Sequence, residues 1–141
     1  MNTYSFQDVN ISILHPSVGA YNATGTGIGS ISISPTNDRT AHDVAADGYV
    51  MPSKIKARNG TIVIEVLQTS DFNAWLTKWF NYIETADSSQ WANTSLTVYS
   101  NVLGQSTYCS GVSPQKQAER SYKAQGQNVV WTLMATDIQM N

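Results

Sequence analysis

Residues 61–86 read TIVIEVLQTSDFNAWLTKWFNYIETA, and they decide the fold because their hydrophobic period changes midway. In residues 61–67 apolar side chains occupy both parities, a pattern that predicts a central strand covered on both faces. From Ser70 onward they recur every three or four positions, which predicts one amphipathic helix at about 70–86 with Ser70 as N-cap. We expect its large apolar face to be buried. That face comprises Phe72, Trp75, Leu76, Trp79, Phe80 and Ile83.

Strand patterns flank this stretch on both sides. Glycine-rich residues 17–29 and the polar, basic-leaning residues 114–127 are predicted as loops. Because strands precede and follow a single helix, the sequence predicts a mainly β fold: an antiparallel β-sandwich or small barrel with one flanking amphipathic helix. Alternating apolar residues predict further strands at 4–15 (with a parity switch at Asp8), 30–34, 95–99, 106–112 and 128–140, the last again central.

Residues 36–59 are the least core-like part of the chain. Their apolar side chains are scattered among charged ones, and a stretch this long between two strands is uncommon in a compact domain. We interpret it as an extended arm or hairpin that reaches outside the core of a single domain spanning residues 1–141. Its candidate subunit-contact residues are Asp38, Arg39, Asp43, Val44, Asp47, Lys54, Lys56 and Arg58.

The composition favours self-association. Only 13% of the 141 residues are charged, well below the usual share of about 25%, and the net charge is −2. Neutral polar groups are easier than charges to bury against another protein, because they need only hydrogen bonds. There is no basic stripe for nucleic-acid phosphates, no pattern for a signal peptide and no apolar run long enough for a membrane span, so we expect a soluble protein made in a cytoplasm.

The residues that could carry chemistry favour structural interpretations. Residues 25–30 resemble a phosphate loop but lack its Lys-Ser/Thr and precede a strand pattern, so a flexible turn is the better interpretation. His15 and His42 have no metal-ligand spacing, and Cys109 is expected to be a small buried hydrophobe. The aspartates of the arm do not match a calcium loop. We therefore expect no catalytic residue, no metal and no cofactor.

Several short segments resemble one protein family. The chain is similar, over most of its length, to the tail tube (inner tube) proteins of contractile-tailed bacteriophages. The segments that carry the resemblance are Asp38-Arg39-Thr40, Asp43-Val44-Ala45-Ala46-Asp47-Gly48, Ser53-Lys54-Ile55-Lys56, Arg58-Asn59-Gly60-Thr61, Gln68-Thr69-Ser70-Asp71, Gly111-Val112-Ser113-Pro114-Gln115-Lys116 and Ala124-Gln125-Gly126-Gln127.

The resemblance implies a mechanical function. It implies hexameric rings whose sheets join into an inner β-barrel, and stacking of those rings into a hollow tube that DNA passes without specific binding. It also implies long loops between rings and partners in the tail sheath, the baseplate and the tail terminator. The protein would then be part of the virion tail, assembled in the host cytoplasm. Two alternatives stay open: a secretion-system-type tube protein, and a carbohydrate-binding β-sandwich that uses exposed tryptophans such as Trp75, Trp79 or Trp91.

Overall fold

The computed structural model describes residues 3–24 and 28–141. Within these ranges the chain forms ten strands, one α-helix and two 3-10 turns, at Phe6–Asp8 and Ser88–Gln90. The strands are β1 Val9–His15, β2 Gly19–Thr24, β3 Ile28–Pro35, β4 Thr40–Val44, β5 Val50–Lys54, β6 Gly60–Leu67, β7 Thr94–Ser100, β8 Gln105–Pro114, β9 Asn128–Ala135 and β10 Asp137–Met140, and the helix α1 is Asp71–Thr85.

Eight of the described strands form one strongly bent antiparallel sheet. Its order is β2-β1-β7-β8-β9-β6-β3, with β10 beside β8. The first layer consists of β2, β1, β7, β10 and most of β8; the second consists of β3, β6, β9 and the end of β8, where Ser113 pairs with Met134. The layers enclose one apolar core, so the predicted mainly β, antiparallel fold is confirmed.

The sheet bends where Gly111 faces Thr136. Gly111 has a φ of 62°, and a Cβ at this position would collide with the Thr136 side chain. Thr136 donates its N–H to the carbonyls of Ser110 and Gly111, at 3.1 and 3.3 Å. The prediction of a single strand at 128–140 is therefore wrong, because Thr136 interrupts it. The irregularity at Thr136 changes the direction of the chain, so that β10 pairs with β8.

The helix closes the core as its sequence predicts. Ser70 accepts the N–H of Asn73, and five residues of the apolar stripe are buried while Trp75 is half-buried. The Trp79 indole N–H donates to the Thr94 hydroxyl at 2.9 Å, and both side chains are buried. The helix thus joins the layers through polar bonds as well as apolar contact.

Two predictions near the N-terminus are wrong. Residues 4–8 are not strand, because Phe6–Asp8 form a 3-10 turn in which Ser5 accepts the N–H of Gln7. That turn produces the parity switch noted at Asp8. Residues 19–24, predicted as loop, are the edge strand β2; its inward side chains, Tyr21 and Ala23, are too few to give a strand pattern.

The prediction that β6 and β9 are covered on both faces is also wrong for the isolated chain. Ile62, Ile64 and Val66 are fully buried on the inner face of β6. On the outer face, however, Val130 and Met134 of β9 are exposed. The apolar character of both faces therefore points to contacts that the single chain does not make.

We expect the Trp79–Thr94 bond to contribute measurably to stability. Thr94→Val leaves a buried indole N–H without a partner and should lower the free energy of unfolding by about 1–3 kcal/mol. In a Trp79→Phe background, which lacks the donor, the decrease in the free energy of unfolding caused by Thr94→Val should be smaller by at least about 0.5 kcal/mol. Urea unfolding of the wild type, the two single variants and the double variant measures this coupling. Equal effects of Thr94→Val on the free energy of unfolding in both backgrounds would contradict it.

Cys109 should be chemically inert while the protein is folded. It is fully buried on β8, and burial, helped by the Asp137 carboxylate, raises the pKa of its thiol to about 11. At pH 8 only about one thiol in a thousand is then the reactive thiolate. Iodoacetamide should label it far more slowly in the native protein than in guanidinium, and equal rates by mass spectrometry would contradict the buried position.

Candidate interaction surfaces

Strands β4 and β5 form a hairpin that stands away from the core. It prolongs the β3–β6 ladder, because Thr36 donates its N–H to the Asn59 carbonyl and Ile55 to that of Arg39. Every residue of β4 and β5 is exposed, so the hairpin is solvated on both faces. The segment predicted as an arm therefore has regular structure of its own; we call residues 36–59 the arm.

A tight turn forms the tip of the arm. Gly48 adopts a φ of 90° there, which a residue with a side chain rarely tolerates. One Asp47 carboxylate oxygen accepts the N–H of Tyr49 at 3.1 Å, and the Gly48 N–H donates to Ala45. Asp47 therefore has a structural role in the turn in addition to its charge.

All eight candidate contact residues lie within the arm, and besides Asp47 two of them, Arg39 and Arg58, are held by contacts within the chain. Asp38, Asp43, Val44, Asp47, Lys54 and Lys56 are exposed along it. Arg39 donates its Nε–H to the Ile55 carbonyl at 2.9 Å. At the base, Arg58 Nε lies 2.9 Å from an Asp137 carboxylate oxygen, in the ion pair found among the described residues. Arg58 is thus less available than the others to a neighbouring subunit.

Sequence reasoning named Val44 but missed the other apolar side chains near the tip. Val44 and Tyr49 are each 69% exposed, and Val50 and Met51 are exposed beside them. These residues are scattered in the sequence, so their proximity is evident only from the strand register, which places Val44 opposite Val50 and Asp43 opposite Met51. Val44 and Val50 therefore share one face of the hairpin and Met51 lies on the other, so apolar side chains are exposed on both faces near the tip.

A second surface, residues 115–127, was predicted only as a loop. Lys116, Arg120 and Lys123 are exposed on it, and none makes an ion pair with the described residues. Glu119 is the one acidic residue, and Tyr122 is 83% exposed. We call residues 115–127 the basic loop.

Gln68, just beyond β6, fixes the basic loop in place. Its side-chain amide donates to the Ser121 carbonyl at 2.8 Å, and its side-chain oxygen accepts the N–H of Gln127 at 3.4 Å. Its backbone N–H also donates to the Gln127 carbonyl, at 3.1 Å. At the other end of the loop, Gln115 donates its N–H to Thr132 of β9. The loop is therefore held to the second layer at both ends.

The arm leaves one end of the second layer, whereas the basic loop begins beside Thr132 in the middle of β9 and reaches the other end at Gln127. Strands β6 and β9 pair from Gly60 opposite Ala135 to Leu67 opposite Asn128. The arm precedes Gly60, whereas Gln68 and Gln127 meet just beyond Leu67. At roughly 3.3 Å per residue the strand separates these two ends by about 25 Å.

The bent sheet itself is almost uncharged. In its described strands the charged residues are Glu65 and Asp137, and both have partners: the Ser30 hydroxyl donates to Glu65 at 2.9 Å, and Arg58 pairs with Asp137. The edge strands β2 and β3 contain no charged residue. Natural edge strands usually carry charges that prevent pairing with another chain, and these two lack that protection.

The described residues contain no group of His, Cys, Asp and Glu that could hold a metal ion. His15 is buried and uses both ring nitrogens, one with the Gln90 carbonyl at 3.1 Å and one as acceptor for the N–H groups of Ser17 and Val18. His42 is exposed on β4. Residues 25–27 of the phosphate-loop resemblance lie outside the described residues, and Ile28 begins β3.

The tryptophans do not form a stacking platform for sugars. Trp79 is fully buried and Trp75 stacks on it with 6.3 Å between ring centroids. Trp91 is partly exposed, but it packs edge-on against Phe80. In the part of the chain that the structure describes, no helix is long and apolar enough to cross a membrane.

Comparisons with known proteins found a family model and several solved structures that are similar to this chain. The family model described as the bacteriophage PhiTE tail tube protein matches residues 1–141. No curated protein matches the sequence. Among solved structures, a chain of the anti-feeding prophage cap (the tube terminating cap) is similar with a TM-score of 0.65 and 13% identity, over 100% of this chain and 92% of that one.

Two further solved structures share the fold. A chain of the anti-feeding prophage baseplate, six-fold symmetrised, matches with a TM-score of 0.64 and 15% identity over 100% of this chain and 97% of that one. A chain of the sheath-tube complex of the extracellular contractile injection system PVC matches with a TM-score of 0.61 and 15% identity, over 99% and 91%.

These findings confirm the resemblance stated from the sequence and exclude an enzyme, because the family is one of structural proteins. The chain belongs to the bacteriophage PhiTE tail tube protein family and is a structural tail protein.

Proposed function

We propose that copies of this chain close into rings of six and that the rings stack into the hollow tail tube through which DNA is delivered. The observation that carries the proposal is the arm: a hairpin exposed on both faces, with apolar side chains at its tip, leaving one end of a sheet. A two-stranded hairpin alone in water is marginally stable, so it gains most from a partner that covers it. Another copy of the chain supplies such a partner in a tube.

Ring closure is best explained by pairing at the free sheet edges. The Thr36–Asn59 bond continues the β3–β6 ladder, in which bonded and non-bonded pairs alternate. By that alternation Ile31 and Ile33 turn their N–H and C=O groups away from β6, toward the free edge. A strand of the next copy that pairs there prolongs the sheet around the ring, since head-to-tail contacts close when the rotation allows.

Passage of DNA is supported by the uncharged sheet. A wall that presents hydroxyl and amide groups offers DNA phosphates few cations to bind, so the polymer slides without being held. The exposed cations are placed on the arm, the helix and the basic loop instead. The related structures come from a baseplate, a terminating cap and a sheath-tube complex, and we infer partners of those three kinds for this tube.

We infer that the protein is part of the virion and that it assembles in the host cytoplasm. A second candidate function is the tube of an injection or secretion system, because several related chains come from contractile injection systems. The two functions share the ring and the stack and differ in their cargo.

The wild-type protein should form rings or tubes visible by negative-stain electron microscopy. Asp43→Lys with Asp47→Lys places positive charge at the arm tip and should reduce the sedimenting fraction at least tenfold while the monomer stays folded by circular dichroism. A stable wild-type monomer would contradict the assembly proposal, and normal tubes from the variant would exclude a role for the charges of the tip.

Asp47→Asn is the matched control for that experiment. The amide oxygen can still accept the N–H of Tyr49, so the turn survives while one charge is lost. Assembly close to that of the wild type is expected from Asp47→Asn. Failure of this control would show that losing the single Asp47 charge is enough to block assembly while the turn is intact.

Ser32→Lys tests the edge of β3. Ser32 is exposed, and an added lysine on an edge strand opposes pairing with another strand. We expect a folded monomer that forms no rings, whereas Asn81→Lys on the exposed side of α1 should assemble. Rings of normal diameter from Ser32→Lys would show that β3 is not the joining edge.

A further inference from the structure

We propose that the basic loop is the docking surface for the arm of a second copy of this chain. The inference rests on the proposed self-assembly and names the two surfaces that meet when rings stack. Charge, apolar surface and position identify this loop as the surface that the arm binds.

Charge is the first argument. The basic loop has three exposed cations, Lys116, Arg120 and Lys123, against one carboxylate, Glu119. The outer half of the arm has the opposite sign, since Asp43 and Asp47 are its charged residues from 41 to 53. Complementary charge of this kind orients partners and fixes their register.

Apolar surface is the second argument. Val44, Tyr49, Val50 and Met51 are exposed on the arm, and Tyr122 projects from the basic loop. An arm seated on the loop would shield these side chains from water and leave the charges at the rim. Interfaces commonly combine an aromatic centre with a polar rim.

Position is the third argument. The arm and the later part of the basic loop, which ends at Gln127, lie at opposite ends of the second layer, so an arm that binds the loop of the next copy leaves its own loop free for another arm. That contact is heterologous and propagates along an axis.

The basic loop is also prepared for binding. Gln68 holds it through the Ser121 carbonyl and the Gln127 N–H, and Gln115 anchors it to Thr132. A surface that is ordered before contact loses less conformational entropy when it binds. The arm is likewise supported at its base by the continued ladder.

A charge exchange tests the docking. Arg120→Glu with Lys123→Glu should reduce the sedimenting fraction at least tenfold, as should Asp43→Lys with Asp47→Lys. A chain that carries all four substitutions restores opposite charges and should recover at least a third of wild-type assembly. Lys78→Glu, a charge reversal on the exposed face of α1, is the control and should assemble normally.

Chemical cross-linking gives a second, independent measurement. A carbodiimide joins carboxylates to lysines in contact, so wild-type tubes grown from mixed ¹⁴N- and ¹⁵N-labelled chains should yield mixed-isotope links between Asp43 or Asp47 and Lys116 or Lys123. Tubes that lack these links, or loop variants that assemble like the wild type, would overturn the docking. A wild-type chain that forms no tubes would instead overturn the proposed function, so the two failures are distinguishable.

Discussion

The burial of the aromatic face of α1 is the constraint on which the rest of the structure depends. A bent sheet leaves its core open along one side, and here the helix covers that side by contacting both layers. Phe72 stacks on Tyr21 of β2 with 4.8 Å between ring centroids, and Trp79 bonds Thr94 at the start of β7. From the second layer, the Trp131 indole of β9 donates to Asn73. Two indole N–H groups thus specify where the helix sits, while the apolar area supplies most of the stabilisation.

With the core closed by one helix, both outer faces of the sheet are free for other contacts. The sheet is almost uncharged, and the charged residues lie mainly on the arm, the helix and the basic loop. Neutral hydroxyl and amide groups can be buried at moderate cost when they find hydrogen bonds, whereas an unpaired charge cannot. Of the two charges that remain, Asp137 forms an ion pair with Arg58 and Glu65 accepts a hydrogen bond from the Ser30 hydroxyl. The uncharged polar residues are therefore concentrated on the sheet, and these are the surfaces that sheet pairing would cover.

The elements with a strong period were predictable, and those that depend on tertiary contacts were not. The stripe from Phe72 to Ile83 defined α1, and the branched residues of β6 and β9 defined the second layer. β2 was not predicted, because this edge strand turns only Tyr21 and Ala23 toward the core, which is too few apolar residues to give a strand pattern. The break at Thr136 depends on Gly111, which lies 25 positions earlier. Of the candidate site, the charges of the arm were visible in the sequence. The sequence predicted the basic loop as a loop but not as a contact surface, because its position relative to the arm follows only from the β6–β9 register.

The arm shows how a marginal element becomes useful in an assembly. As a free hairpin it would lose nearly as much in chain entropy as its few hydrogen bonds return. Its attachment to the β3–β6 ladder, through Thr36 and Arg39, fixes the strand register before any partner arrives. The remaining cost is the exposure of Val44, Tyr49, Val50 and Met51, which a partner surface relieves. In the proposed tube, a chain that is ordered at the base of its arm and exposed at the tip favours growth over closure of a dimer, because each added copy would cover one tip and expose another. The direction of stacking would then follow from the different ends of the sheet.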